Sequence, residues 1–353
     1  MLLQFLYTKL AILPRLFQPS YDATFSILPF WQRWRLLLIL QPINLLVPII
    51  TAQDWLFNNR YSVVWIPVRD GSKRRCLVYL PPGHTKPTSS SAPLTSLNKV
   101  PRKLLPLHID IHPGAFIGGF PEHSTRWCSH LSTTTSTIVI SLSHRLAPRN
   151  LFPAAHNDID DLVSWILVHA EQEFGADPGM LTIGGSSAGA NLALSAAIML
   201  QKQNQEQDQS GRGGGYVANA FLGFYTPLDL RITPPEKPRP ANFPSKDPMA
   251  VLIPLYTSYY AAPIMQQEAQ NPRLNPIVAE VGDLPRDMLF IVPEIDILVH
   301  EQLSFVERVR GELERGGDGG TRERRVDAKV IERAFHGWVE CTFPDSISFL
   351  SDD

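Results

Sequence analysis

Gly184-Gly185-Ser186-Ser187-Ala188-Gly189 is the stretch on which the reading of this chain turns. Met180-Leu181-Thr182-Ile183 leads into it and predicts a buried strand. Ala190 to Leu200 leads out of it, is rich in Ala and Leu, and predicts a helix. Gly185 to Gly189 therefore reads G-x-S-x-G at a strand-to-helix turn, which places the Ser187 hydroxyl on a sharp bend above a sheet edge. Small neighbours let such a turn close. The helix start adds N–H groups and a positive dipole end where an oxyanion would develop. By average composition, a bare G-x-S-x-G arises in about one chain of this length in ten. The serine thus needs partners elsewhere in the chain.

Size and composition permit a large globular core around this turn. The chain has 353 residues, of which 44% are hydrophobic and 19% charged, enough for one large or two smaller domains. A formal net charge of −2 offers no basic field to nucleic acid. Cys76, Cys128 and Cys341 are far apart, with no C-x-x-C pair. They read as buried thiols in a reducing, cytoplasmic compartment. Nothing in the sequence calls for a metal or an organic cofactor.

Residues 1–60 read as short apolar helices broken by prolines. Met1 to Leu13 lacks a basic start and a small-residue cleavage site, so no signal peptide is expected. In Leu36 to Ile50, Gln41, Pro42, Asn44 and Pro48 interrupt the apolar run before it reaches spanning length. An apolar cap over a pocket is the preferred reading. Peripheral membrane contact through residues 1–50, with Trp31, Arg33, Trp34 and Arg35 flanking, stays open, and so does a homodimer.

From residue 61 onward strands and helices alternate. Tyr61–Val68 and Arg75–Leu80, joined through Asp70-Gly71, predict a hairpin. Residues 83–103, rich in Ser, Thr, Pro and Lys, predict a flexible insertion. Leu104–Ile111 predicts a strand, although His108 and Asp110 conflict with a central parallel position. Thr137–Leu142, Ala218–Tyr225, Met288–Val292 and Val326–Ile331 predict further strands. Ile159 to Ala170, with its i, i+3, i+4 apolar spacing, and Leu303–Leu313 predict helices. Gln201–Gly215 reads as a mobile loop, and the proline-rich 231–248 as a long excursion forming part of a lid. The alternation implies a mostly parallel sheet with helices on both faces.

A serine nucleophile needs a base, and the base needs an orienting carboxylate. Asp296 follows the Met288–Val292 strand, with Glu294 as its rival. His336 follows the last predicted strand, with His300 as the weaker alternative. Oxyanion donors are expected from the backbone N–H of Ala188 and from the loop after Ile111. There Gly114 and Ala115 carry N–H groups and Pro113 has none.

Together these segments resemble the hormone-sensitive-lipase-like branch of the α/β-hydrolase fold, a family of carboxylesterases and lipases. His112-Pro113-Gly114-Ala115-Phe116 is similar to its H-G-G-G-[FW] oxyanion motif. His144-Arg145-Leu146-Ala147-Pro148 is similar to Y-R-L-A-P, and Gly185 to Asn191 to G-D-S-A-G-G-N. Asp296-Ile297-Leu298 is similar to D-x-L, and His336-Gly337-Trp338 to H-x-W. The resemblance implies an N-terminal helical cap over residues 1–60 and a catalytic domain over 61–353. It also makes Trp31, Trp34, Trp55 and Phe57 candidate pocket or core aromatics. The expected function is hydrolysis of a hydrophobic carboxylic ester through Ser187, His336 and Asp296. A lactone or amide hydrolase with the same three residues, and a non-catalytic small-molecule receptor, are the alternatives. Ser186, Pro113, Ala115 and His144 depart from the family pattern and bear on substrate range.

Overall fold

The computed structural model describes residues 8–26, 28–58, 60–84, 103–211, 214–247, 250–316 and 324–340. Most of the expected insertion, the glycine-rich 317–323, Cys341 and the side chain of Trp31 lie outside that set.

Eight strands form one sheet: β1 Tyr61–Pro67, β2 Lys73–Tyr79, β3 Leu105–Ile111, β4 Ile138–Leu142, β5 Ala176–Ser186, β6 Ala220–Phe224, β7 Asp287–Ile295 and β8 Arg325–Phe335. Their order is β1-β2-β4-β3-β5-β6-β7-β8. The β1–β2 hairpin is antiparallel and β2 meets β4 antiparallel; all other pairs are parallel. The chain leaves β3 to one side, for β4, and returns on the other side, for β5. In parallel sheets a crevice opens at the carboxyl ends of strands flanking such a reversal. Ser187 follows β5 and the His112–Gly119 loop follows β3, so both lie at that crevice.

The central strands are apolar on both faces because helices cover both faces. On these faces lie α3 Thr125–Thr135, α4 Ala154–His169, α5 Ala188–Gln209 and α6 Val299–Gly316. Leu107, Ile109, Ile111, Ile138, Ile140, Leu181 and Ile183 are all fully buried. The polar half of β3 now has a physical account. His108 Nδ1 lies 2.8 Å from the Thr182 hydroxyl, and the Ser141 hydroxyl donates to Asp110 at 3.0 Å. Each group meets one polar residue on the neighbouring strand at the same register, His108 through Nδ1 and Asp110 through Oδ2. Burial pushes the His108 pKa down to about 4 and that of Asp110 up to about 6. Cys76 and Cys128 are free and buried.

Two expectations are corrected. Gln201–Gly215 is not a loop from its start, because α5 continues to Gln209. Gln, Lys and Glu are good helix formers, and they are polar here because this end of the helix runs out into solvent. Nor is the N-terminal layer broken at each proline. Phe30–Arg35, a π-helical turn Leu36–Leu40 and Gln41–Ile50 follow one another without a gap and are labelled α2 together. The Gln41 N–H bonds to the Leu36 carbonyl, five residues back. That widened turn makes room for the Pro42 ring, which would clash in a regular α-helix. A shorter helix, α1 Gln18–Phe25, packs beside it. Arg15 Nη2 donates to the His144 carbonyl at 2.7 Å, and Lys9 Nζ donates to the Asn58 carbonyl and the Tyr61 hydroxyl at 2.8 Å each. These bonds fasten the layer to the sheet domain.

Candidate active site

The nucleophile turn is tight because the sheet is close. A Cβ on Gly189 would stand 2.0 Å from the Ile111 carbonyl oxygen, and one on Gly185 would stand 2.5 Å from the same atom. Only glycine fits at either place. Ser187 between them has φ 52 and ψ −128, a strained conformation for an L-residue. Its N–H donates to the Phe224 carbonyl at 2.9 Å, which pins the bend to β6. The side chain is 8% exposed, at the mouth of a cavity.

Three side chains expected from sequence meet here. The Ser187 hydroxyl donates to His336 Nε2 at 2.9 Å, and His336 Nδ1–H donates to Asp296 Oδ2 at 2.9 Å. Asp296 is 1% exposed, and its other oxygen accepts the Leu298 N–H at 3.0 Å, which fixes the carboxylate plane. Burial acts to lower the His336 pKa. The Asp296 carboxylate opposes it, with Glu340 and Asp247 adding, and the balance holds the imidazole above its ordinary 6.5. The rivals are elsewhere. Glu294 accepts the Arg333 N–H at 2.8 Å, and His300 is exposed on α6.

The loop after β3, which carries the expected oxyanion donors, runs through left-handed backbone. Gly114 has φ 140, and Ala115 and Phe116 have φ 53 and 63. A Cβ on Gly114 would meet the Gly118 carbonyl oxygen at 2.1 Å, so glycine is required. Ala115 and Ala188 line the same cavity as Ser187 and His336. His112 supports the loop from beneath. Its Nδ1–H donates to the Pro113 carbonyl at 2.8 Å, and its ring stacks on His144 with centroids 4.7 Å apart. Burial and the neighbouring His144 keep His112 neutral, its pKa far below 6.5.

The cavity holds about 260 Å³. Phe116, Leu230, Tyr256, Tyr260 and Leu298 give it apolar and aromatic walls. The proline-rich 231–248 excursion contributes Pro234, Phe243 and Pro244 to the wall. Its anchor was not read from sequence. Lys237 is 6% exposed and forms an ion pair with Glu301 of α6, and its ammonium also donates to the Asp229 carbonyl at 2.7 Å.

A second missed group lies behind the imidazole. Tyr225 follows β6, and its ring centroid lies 4.8 Å from that of His336. Its hydroxyl donates to the Glu340 carboxylate, which also accepts a hydrogen bond from Ser186. Burial raises the Glu340 pKa, and these donors oppose the rise. The signal in sequence was weak: a tyrosine just past a parallel strand, at the end where site residues collect, and a glutamate four residues after the histidine. Among the described residues no cluster of His, Cys, Asp and Glu is arranged to hold a metal.

Comparison with known proteins places this geometry. A profile described as alpha/beta hydrolase fold matches residues 108–340. The chain is 34% identical over 126 residues to 3-O-acetylpapaveroxine carboxylesterase CXE1 of Papaver somniferum, covering 32% of this chain and 37% of that protein. It is 26% identical over 181 residues to esterase LipI of Mycobacterium tuberculosis, covering 51% of this chain and 52% of that protein. The chain thus spans about half or less of the length of these two relatives. The fold is that of a hyperthermophilic esterase from Pyrobaculum calidifontis, with a TM-score of 0.62, 24% identity, and coverage of 86% and 87% of the two chains. The chain belongs to the α/β-hydrolase fold family, in its hormone-sensitive-lipase-like branch.

Proposed function

We propose that this chain is a serine hydrolase that cleaves carboxylic esters of hydrophobic small molecules through an acyl-enzyme. One observation carries the reading: Ser187, His336 and Asp296 are joined by two hydrogen bonds of 2.9 Å at the mouth of an apolar cavity. His336 Nε2 takes the Ser187 proton as Oγ attacks the ester carbonyl carbon. The tetrahedral oxyanion is held by the N–H groups of Gly114, Ala115 and Ala188. As the intermediate collapses, the C–O bond to the alcohol breaks and His336 returns the proton to the leaving oxygen. Water then repeats the sequence on the acyl-serine, and the acid departs. Asp296 keeps the Nδ1 proton in place and offsets the charge of the transient imidazolium. No cofactor enters these steps.

The relatives' names, a carboxylesterase and an esterase, favour esters. A cavity of about 260 Å³ is at the small end of ligand pockets, so short acyl groups should be preferred. The test is a hydrolysis panel of short and long acyl esters, lactones and anilides, run beside Ser187→Ala. Turnover of short apolar esters, lost in the variant, supports the reading. Turnover confined to lactones or anilides moves it to the other acyl class, and no turnover of any class with the protein folded overturns it.

A further inference from the structure

The N-terminal helix α2 is amphipathic the wrong way round for a helix facing water. Leu36, Leu40, Gln41, Asn44 and Pro48 are its buried residues. Gln41 and Asn44 sit among them because they satisfy chain ends of the neighbouring turn. Gln41 Nε2 donates to the Leu16 carbonyl at 2.8 Å, and Asn44 Nδ2 donates to the Arg15 carbonyl at 2.7 Å. The opposite face carries Leu38 and Ile49, each 70% exposed, with Ile50 at 57% and Leu46 at 54%. A solvent-facing helix places its amides outward and its aliphatics inward. The helix α1, packed beside α2, also exposes Phe25 at 63%, and Phe17, the residue before that helix, is 54% exposed. Large exposed aliphatic and aromatic side chains gathered on packed neighbouring helices mark a surface that meets a non-aqueous partner.

The charges say which partner. From Ala23 to Gln53 the sequence holds no acidic residue, and its only charges are Arg33 and Arg35, at one end of α2. Arg35 lies over the Trp34 ring at 4.8 Å, and Trp34 and Phe30 are exposed beside it. Aromatic residues with arginine at the rim of an aliphatic face match the headgroup zone of a bilayer. A twofold contact between copies would set this all-positive rim against itself, with no exposed acid on α1 or α2 to answer it, since Asp22 of α1 is buried. Against the expectation from its interrupting residues, the unbroken helix over Arg33–Ile50 is, by length and composition, long and apolar enough to cross a membrane, with 28% of it buried. Its inner face is nevertheless hydrogen-bonded to the preceding Arg15–Ser20 segment, which Arg15 ties to the sheet domain through the His144 carbonyl, and this calls for lying along a surface rather than through it.

We propose that the outer face of α2, extended by α1, docks this protein onto an anionic lipid surface. The helix is backed by the loop that follows β3. Leu40 and Asn44 approach to 3.9 Å of where a Cβ on Gly118 would stand, in the oxyanion loop. Docking therefore sets the His112–Gly119 loop about one helix diameter from the bilayer. Resting on the ester-hydrolase reading, the substrates are then esters that partition into lipid.

The test uses the full chain with mixed phosphatidylcholine–phosphatidylserine vesicles, compared with the triple variant Leu38→Gln/Leu46→Gln/Ile49→Gln. The wild type should co-sediment with the vesicles, more weakly as salt rises, and alkaline carbonate should release it. The variant should bind at least about tenfold more weakly. It should hydrolyse a water-soluble short ester within about twofold of the wild type, which shows that its fold is intact. Four outcomes overturn the proposal: no vesicle binding by the wild type, equal binding by the variant, resistance to carbonate, or a vesicle-indifferent dimer that the variant turns into a monomer. Vesicle binding is read without turnover, so an inactive protein that still binds would refute the hydrolase reading alone.

Discussion

Ser187 Oγ and His336 Nε2 stand 2.9 Å apart although 149 positions separate them in the chain. Two parallel strands, β5 and β8, end at the same edge of one sheet and deliver them there. If that contact is the proton path, Ser187→Ala and His336→Ala must each lower kcat by about four powers of ten or more. The double variant must fall little further, because the pair acts as a unit. Single-turnover and steady-state rates on one short ester check this.

The pH profile follows from the Asp296 contact. The base works as neutral imidazole, so activity disappears as pH falls through the His336 pKa. That pKa is held above 6.5 chiefly by Asp296 against the opposing effect of burial. The acid limb of kcat/KM should therefore lie above pH 6.5. Asp296→Asn should move it downward and cut the rate about ten-thousandfold, because the ring loses both its charge partner and its fixed tautomer.

Glu340 should tune the same limb without carrying the reaction. Three acids, Asp296, Glu340 and Asp247, raise the imidazole pKa, and Glu340 reaches it past Tyr225. Glu340→Gln removes one of the three charges and should shift the acid limb to lower pH. On the plateau at higher pH, kcat should stay within about tenfold of wild type, since the proton path is intact. A purely structural Glu340 would change the plateau and leave the limb in place.

The approach of α5 to β3 sets a stability prediction. Gly189→Ala puts a methyl 2.0 Å from the Ile111 carbonyl oxygen, where both neighbours are backbone. The cost should be about 1–3 kcal/mol, read as a lower urea midpoint, with activity falling because the nucleophile bend shifts.

Lys237 pins the cavity wall. Removing it strands Glu301, which is 8% exposed and otherwise holds only the Leu228 and Asp229 N–H groups. Lys237→Met should cost about 3–5 kcal/mol, and adding Glu301→Gln should recover much of that, since the amide oxygen can still accept those N–H donors. Urea denaturation of the two variants measures both figures.

What could be read from sequence and what could not divide along a physical line. Local chemistry was legible: the glycines around Ser187, the hairpin at Asp70-Gly71, and the acid and the base placed after successive strands. Groups that acquire meaning only through a distant partner were not. Asp110 and His108 contradicted a central strand until Ser141 and Thr182 on the adjoining strands each gave one of them a hydrogen-bond partner. Lys237 and Glu301 carry no local signal, because only the fold brings together residues 64 positions apart. Tyr225 and Glu340 had the same disadvantage. The prolines of α2 misled for another reason. Pattern alone scores a proline as a break, whereas a π-helical turn ahead of Pro42 absorbs it.

The central claim is that Ser187 is a nucleophile primed by His336 and Asp296. Intact-mass spectrometry after incubation with a fluorophosphonate, followed by peptide mapping, addresses it directly. One phosphonyl adduct per chain, on Ser187 and absent from both Ser187→Ala and His336→Ala, is the predicted result. An unlabelled wild-type protein, or an adduct on a different residue, would contradict it.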